Sequence, residues 1–141
     1  VDFIQDNESK SKKGVLRGLH YQLPPYSQAK LVRVIEGSVL DVAVDIRKSS
    51  ATYGKQVTIE LTGENKKQLF IPRGFAHGFV VLSNSAIFSY KVDNNYTPQH
   101  EHTILWNDVD LNIDWHLDDM TPSLSNKDKD GVSFQNAKYY D

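Results

Sequence analysis

The sequence predicts an all-β domain, and three observations support that fold class. Residues 39–47 alternate with period two, so that Leu40, Val42 and Val44 share one face of a strand and Asp41 lies on the other. Turn-forming residues separate the apolar segments, and no ten-residue window before the last third has a helical stripe. Similar short segments, rich in Val, Ile, Leu, Phe and Tyr, recur at 31–35, 56–61, 68–72, 78–82 and 86–92. Many short strands at regular spacing predict a sandwich, a jelly roll or a barrel.

The first informative element in chain order runs from Gly14 to Gln22. In an unbroken strand, Arg17 and His20 would point to opposite faces. Gly18 lies between them and could seat a bulge that turns both side chains inward. An arginine and a histidine inside a barrel would be costly without a function, because a buried charge needs a partner. The residues alone leave open a surface arginine and a structural histidine.

Three later positions carry side chains of interest. Lys30 opens the next strand, where a lysine is usually a solvated edge residue. Tyr90 lies in the segment 86–92, in a setting typical of a core tyrosine with one satisfied hydroxyl. The polar tail from residue 127 to residue 141 predicts a loop or a short helix over the end of the barrel. Asp128, in this tail, is by default a solvated turn residue.

Composition limits the classes of function. The 141 residues suffice for a single domain, 1–141, and 39% of them are hydrophobic. A net charge of −2 gives no support for a nucleic-acid or membrane partner, and no apolar run reaches the length of a membrane span. The absence of cysteine excludes disulfides, thiolate metal sites and cysteine nucleophiles, and it fits a reducing, cytoplasmic location. Because the sequence opens on Val1 and has no leader pattern, we expect a fragment or a processed form.

Five histidines raise the question of a metal site. The metal-binding pattern of cupin barrels needs two histidines two residues apart, then a glutamate and a later histidine. His20 is followed by Tyr21 and Gln22, so the paired ligand is absent. Residues 72–77 match the later half, P-x-G-x-x-H, but Val81 stands where that pattern has asparagine. Two isolated histidines fall short of the three or four ligands of a tight site, and we predict no metal.

Order and spacing say more than any single residue. The motifs are Gln5-Asp6-Asn7-x-Ser9, Gly14-Val-Leu-Arg-Gly-Leu-His-Tyr-Gln, Lys30-Leu-Val-Arg-Val, Asp41-Val-Ala-Val-Asp-Ile-Arg, Ile71-Pro-x-Gly-Phe-Ala-His-Gly-Phe-x-Val-Leu, Tyr90-Lys91, Trp106-Asn-Asp-x-Asp-Leu-x-Ile-Asp-Trp115 and the Ser-x-Lys-Asp that ends at Asp128. Together they resemble the dTDP-4-dehydrorhamnose 3,5-epimerase family, from Phe3 to about Asp128. The Arg-Gly-Leu-His and Pro-x-Gly-Phe-Ala-His-Gly-Phe segments in series are the most specific part of this resemblance.

The resemblance implies a jelly-roll barrel of the cupin type, a double-stranded β-helix, that forms a homodimer and uses no metal or coenzyme. The implied substrate is a dTDP-linked 4-keto-6-deoxyhexose, dTDP-4-keto-6-deoxyglucose, inverted at carbons 3 and 5 in dTDP-rhamnose or related deoxysugar biosynthesis. A proton beside a ketone is removable when a base is positioned and the enolate oxygen is stabilised. Inversion also needs a proton donor on the opposite face, so one base, one cation and one acid suffice.

The same resemblance implies roles for individual residues. His20 would be the base, and Asp128 would orient it. Lys30 would hold the enolate charge, and Tyr90 would donate the proton from the other face. The residues that match substrate-binding positions are Gln5, Asn7 and Arg17, for the diphosphate, and His77, Tyr96 and Glu101, for the rest of the pocket. In the family, an earlier segment supplies a strand that pairs the subunits and an arginine that reaches the nucleotide, so we expect weaker dimerisation and nucleotide binding without it.

Three other interpretations stay open from the sequence. A metal-dependent cupin oxygenase would need at least one more ligand near His20 and His77. A relative that epimerises only carbon 3, or that isomerises the keto group, would keep the histidine and vary the acid, so Tyr90 favours full epimerisation. A non-catalytic sugar-binding barrel would have no reason to keep His20, Lys30 and Tyr90 together.

Overall fold

The computed structural model describes residues 1–138 as two antiparallel β-sheets that face each other. Within this range, helical structure is limited to α1 (Asn126–Lys129) and two short 3₁₀ turns, Pro98–His100 and Phe134–Asn136. The strands are β1 (Gln5–Lys12), β2 (Leu16–Gln22), β3 (Lys30–Glu36), β4 (Ser38–Asp45), β5 (Gln56–Thr62), β6 (Gln68–Ile71), β7 (Phe75–Val81), β8 (Ser85–Val92) and β9 (Glu101–Thr103). The predicted all-β class is confirmed.

The chain changes sheets at almost every connection. The four-stranded sheet has the order β1-β8-β3-β6, and the five-stranded sheet has the order β5-β4-β7-β2-β9. The β4–β5 hairpin is the one connection between these strands that stays within a sheet. Apart from β4 and β5, consecutive strands therefore lie on opposite walls of the space between the sheets.

The centre of the five-stranded sheet, around β4, is buried on both faces. Leu40, Val42 and Val44 of β4 pack in one cluster with Ile104 and Trp115, which come from the C-terminal segment. The other β4 side chains face the four-stranded sheet, where Val39 and Ala43 pack with Phe79 and Phe88. A strand with both faces buried reads as a nearly continuous apolar run, which accounts for the composition of β4. The two faces predicted for residues 39–47 are confirmed.

Two strands were not predicted because their sequences are polar. β1 reads Gln-Asp-Asn-Glu-Ser-Lys-Ser-Lys and pairs along its whole length with β8, from Gln5–Val92 to Lys12–Ser85. It is the edge of the four-stranded sheet, where charged side chains are typical. β9 has three residues and pairs with the end of β2.

The predicted short helix or loop in the tail corresponds to α1 and the second 3₁₀ turn, whereas residues 139–141 lie outside the described residues. Between residues 1 and 138, no helix is long and apolar enough to cross a membrane.

Candidate active site

A cavity of about 310 Å³ opens between the two sheets. Its wall contains nine of the ten side chains that the sequence suggested for the site, namely Gln5, Asn7, Arg17, His20, Lys30, His77, Tyr90, Tyr96 and Glu101. The tenth, Asp128, lies directly behind His20. Residues spread over nearly the whole chain therefore meet at one place.

The bulge predicted at Gly18 brings Arg17 and His20 to the same cavity. Arg17 pairs with Phe79 and His20 pairs with His77, so three steps along β2 match two steps along β7. The extra residue turns both side chains toward the cavity, as predicted. Gly18 has a φ of +129°, and a Cβ at this position would lie 2.6 Å from the Cα of Gly78. The close approach of β2 and β7 thus requires glycine here.

His20 and Asp128 form a hydrogen-bonded pair. The His20 Nε2 lies 2.5 Å from Asp128 Oδ1, and the backbone N–H of Gly18 donates to Asp128 Oδ2 at 3.4 Å. Ser125 caps α1, since its Oγ accepts a hydrogen bond from the N–H of Asp128 at 3.2 Å. Asp128 is fully buried, so the solvated-turn interpretation is wrong.

The contact with Asp128 determines which ring nitrogen of His20 carries a proton. Burial alone would raise the pKa of the Asp128 carboxyl, but the hydrogen bond with His20, that ring's charge and the Gly18 N–H together hold the pKa below its usual value. An ionised carboxylate keeps a proton on the His20 Nε2, which then donates to it. The lone pair is left on Nδ1, and the neutral ring can act as a base there.

Lys30 is not a solvated edge residue. β3 lies between β8 and β6, and the Lys30 side chain enters the cavity with its Nζ 5.9 Å from the ring centroid of Tyr90. Burial lowers the pKa of the Lys30 ammonium, while the carboxylates of Glu101 and Asp41 oppose that shift. A cation in this setting is poorly hydrated and well suited to bind a developing negative charge.

Tyr90 lies on the opposite wall from His20, because β8 belongs to the four-stranded sheet and β2 to the five-stranded sheet. Its ring packs beside Phe88, with 5.8 Å between the ring centroids. Burial raises the pKa of the Tyr90 phenol, and the Arg17 charge opposes this only in part. The phenol therefore keeps its proton near neutral pH and can donate it into the cavity.

Glu101 organises the mouth of the cavity. Lys127 Nζ lies 2.6 Å from Glu101 Oε1, and the Tyr96 hydroxyl donates to the same oxygen at 3.3 Å. Burial alone would lower the pKa of Lys127, but the hydrogen bond to Glu101 leaves it raised. Lys127 is charged at neutral pH, directly before Asp128 in the chain. On the β1 side of the cavity, Gln5 Nε2 donates to Asn7 Oδ1 at 3.0 Å.

A second histidine–aspartate pair lies deeper in the wall. His77 Nε2 is 2.9 Å from both carboxylate oxygens of Asp41, and both side chains are buried. Burial lowers the pKa of His77, although the carboxylate of Asp41 pulls in the opposite direction. In residues 1–138, no group of three or more His, Asp or Glu side chains is placed to hold a metal ion.

Comparison with known proteins identifies the family. The sequence pattern of the dTDP-4-dehydrorhamnose 3,5-epimerase family matches residues 1–136. The chain belongs to this family. The dTDP-4-dehydrorhamnose 3,5-epimerase of Shigella flexneri is 59% identical over 140 residues, which span 99% of this chain and 76% of the relative.

Solved epimerase structures agree with the fold. The crystal structure of dTDP-4-dehydrorhamnose 3,5-epimerase from Elizabethkingia anophelis superposes with a TM-score of 0.95 at 53% identity, covering 98% of this chain and 75% of that one. The dTDP-6-deoxy-D-glucose-3,5-epimerase of Legionella pneumophila, in complex with dTDP-4-keto-L-rhamnose, gives a TM-score of 0.93 at 50% identity, covering 97% and 72%. The predicted jelly-roll barrel of the cupin type is confirmed.

The sequence did not predict several residues in or behind this epimerase-family cavity. Lys127, Gln28 and Ser9 line it, and Asp41 lies behind it, hydrogen-bonded to His77. Asp41 did carry a signal, because an aspartate in the middle of a strongly apolar strand needs a buried partner. The other three are polar residues in polar segments, which gave no comparable signal.

Proposed function

We propose that this protein inverts carbons 3 and 5 of dTDP-4-keto-6-deoxyglucose by removing a proton beside the ketone and returning one from the opposite face. The observation that carries the proposal is the placement of a carboxylate-paired histidine and a tyrosine on opposite sheets of one cavity. Inversion requires this geometry, because a single group could only return the proton to the face it left.

The proposed base is the Nδ1 atom of His20. Asp128 holds the other ring nitrogen at 2.5 Å, which fixes the tautomer and stabilises the imidazolium that forms when the proton is taken. Removal of the proton breaks a carbon–hydrogen bond, and its electron pair moves onto the ketone oxygen. The partly buried Lys30 ammonium stabilises the resulting enolate.

Tyr90 completes the reaction by donating its phenolic proton to the carbon from the other face. The tyrosinate and the imidazolium then return to their starting states by exchange with water. The ketone serves both positions, since carbons 3 and 5 both lie next to carbon 4. None of these steps requires a metal or a coenzyme, so we propose that the enzyme uses neither.

The nucleotide diphosphate is expected at the Arg17 side of the cavity. Arg17 is the guanidinium of the cavity wall, and it forms no ion pair among residues 1–138. Arginine binds phosphate oxygens through two parallel N–H donors, and the amides of Gln5 and Asn7 can add further donors. His77, Tyr96 and Glu101 would contact other parts of the substrate.

We also propose a homodimer in a reducing, cytoplasmic location. Ile35 and Phe70 are large apolar side chains exposed at the surface of the four-stranded sheet, and Phe3 and Ile4 are exposed just before β1. A second copy would cover such side chains. Sedimentation velocity at several protein concentrations would measure the oligomeric state, and a monomer at all of them would contradict this part.

The test of the reaction is proton NMR of dTDP-4-keto-6-deoxyglucose in heavy water with the protein and excess EDTA. We expect deuterium at carbons 3 and 5, together with the inverted product. Deuterium at carbon 3 alone would indicate an epimerase of a single carbon, and no exchange would refute the proposal. Loss of activity in EDTA that a divalent ion restores would favour a metal-dependent enzyme instead.

A further inference from the structure

The mouth of the cavity is built from two loops that connect the opposite sheets. Residues 23–29 join β2 to β3, and residues 93–100 join β8 to β9. The first loop follows the strand that carries His20, and the second follows the strand that carries Tyr90. Any contact between the two loops therefore constrains the distance between the proposed base and the proposed acid.

One buried side chain joins both loops. Gln22, the last residue of β2, is 3% exposed. Its Nε2 donates to the carbonyl of Tyr26 at 2.6 Å and to the carbonyl of Asn95 at 3.2 Å. Its Oε1 accepts from the N–H of Thr97 at 2.8 Å. A single amide thus bonds to the loop after β2 and, from both of its ends, to the loop after β8.

Asn94 adds a second set of contacts between the same loops. Its Nδ2 donates to the backbone carbonyls of Pro25 and Ser27 at 3.0 and 3.3 Å. Its backbone carbonyl accepts from Gln28 Nε2 at 2.9 Å. These bonds are nearer to the surface than those of Gln22. A buried amide whose donors and acceptor are all used is the stiffer of the two connections, because breaking its bonds leaves unsatisfied groups away from water.

We propose that Gln22 is a positioning residue that fixes the separation of His20 and Tyr90 across the cavity. The proposal rests on the proposed epimerase function. Proton abstraction needs only His20 within reaction distance of the substrate carbon. Inversion needs both His20 and Tyr90 within reaction distance of that carbon, one on each face. Displacements of about 1 Å at catalytic groups can reduce rates about a hundredfold. Loosening the loops should therefore affect inversion more than exchange.

The two fates of the enolate can be separated in heavy water. His20 takes the proton, exchanges it for deuterium from the solvent, and can return the deuterium to the original face, which gives labelled substrate of unchanged configuration. Tyr90 instead delivers deuterium to the opposite face and gives labelled, inverted product. The ratio of these two products does not depend on how much of the sample is folded, so a purely structural defect leaves it unchanged.

The test is this ratio in Gln22→Glu and Gln22→Met. Glutamate keeps the size but cannot donate to the two carbonyls, and methionine keeps the length without charge or hydrogen bonds. The ratio compares labelled substrate of unchanged configuration with labelled, inverted product. In both variants we expect it to rise at least about tenfold over wild type. The second variant covers the case in which the charge of the first prevents folding.

The matched control is Gln56→Glu. Gln56 also donates from a side-chain amide to a backbone carbonyl, that of Leu111 at 2.9 Å, but it lies on β5 and does not line the cavity. The ratio of uninverted to inverted labelled product in Gln56→Glu should equal that of wild type. A wild-type ratio in a folded, active Gln22→Met would overturn the proposal for Gln22. If the wild-type protein itself gives neither exchange nor inversion, the proposed function fails, and this inference fails with it.

Discussion

The cavity contains two histidine–aspartate pairs that share their chemistry but differ in their surroundings. The His20 side chain is 20% exposed and opens to the cavity, and its partner Asp128 comes from α1, 108 residues further along the chain. The His77 side chain is 7% exposed, and its partner Asp41 lies on the neighbouring strand β4 with no exposure at all. Each histidine uses Nε2 to contact its carboxylate.

The difference indicates that a carboxylate partner does not by itself make a histidine a base. Both rings have the orienting hydrogen bond and both line the cavity, but the His20 side chain is the more exposed of the two. For His77, burial lowers the pKa, which disfavours the protonated ring that a base must become. We therefore interpret the buried pair as a contact that stabilises the β4–β7 part of the cavity wall, and the more exposed pair as the pair proposed to exchange protons.

The largest expected effect comes from His20→Asn. Losing a positioned general base costs on the order of 10² to 10⁴ in rate, because asparagine cannot take a proton near neutral pH. Both inversion and deuterium exchange should fall, while circular dichroism reports an intact fold. His77→Asn makes the same change in the buried pair and should retain at least about ten times more exchange activity than His20→Asn. The reverse order would make His77 the base.

The second prediction concerns stability, where the larger effect is expected at His77 and the smaller at His20. His77→Leu leaves the Asp41 carboxylate buried without its partner, which should cost about 3–5 kcal/mol of the free energy of unfolding. His20→Leu should cost less, because Asp128 keeps its hydrogen bond from the Gly18 N–H and the cavity admits water. Urea unfolding followed by tryptophan fluorescence measures both. Equal losses would show that the two pairs are equally structural.

The smallest effect is a difference in pH dependence. Because the pKa of His77 is lowered from 6.5, the unfolded chain takes up a proton first, and stability is lost as the pH falls below about 6.5. Because the pKa of Asp128 is lowered from 3.8, its stabilising contribution is present above about 3.8 and is lost as the pH falls below that value. Each group contributes a slope of at most about 1.4 kcal/mol per pH unit.

Variants separate these two contributions. His77→Gln should flatten the wild-type decline in unfolding free energy between about pH 6.5 and pH 4. Asp128→Asn should leave that range unchanged and flatten the decline only below about pH 4. Urea titrations at a series of pH values give the curves. A flattening above pH 4 in Asp128→Asn would mean that the two pairs are not independent.

The same contrast explains what could be predicted from the sequence. Strands β3 to β8 follow from apolar patterning, because their side chains pack in the two cores. Asp41 lies in such an apolar run, and a buried partner could have been predicted from it, although the Asp41–His77 contact was not. β1 and β9 were not predicted, because polar edge strands are stabilised by backbone pairing that side-chain patterns do not reveal.

Asp128 shows where local reasoning ends. Its neighbours are polar and its position is a turn, so local chemistry favours exposure, yet it is fully buried against β2. Its contact with His20 depends on the packing of the whole C-terminal segment over the five-stranded sheet. Only the family resemblance predicted that contact. Composition and periodicity describe neighbouring residues, and they do not indicate which distant segments meet in the fold.

The docking of that C-terminal segment also has a consequence during synthesis. As the chain leaves the ribosome, His20 emerges long before Asp128, and the strands between them can begin to pair first. Until α1 reaches β2, the histidine has no carboxylate to hold its tautomer, whatever the state of the barrel. In the proposed mechanism, catalytic competence therefore arrives as one of the last events of folding, and the appearance of activity during translation would time the docking of residues 104–138 on the finished sheet.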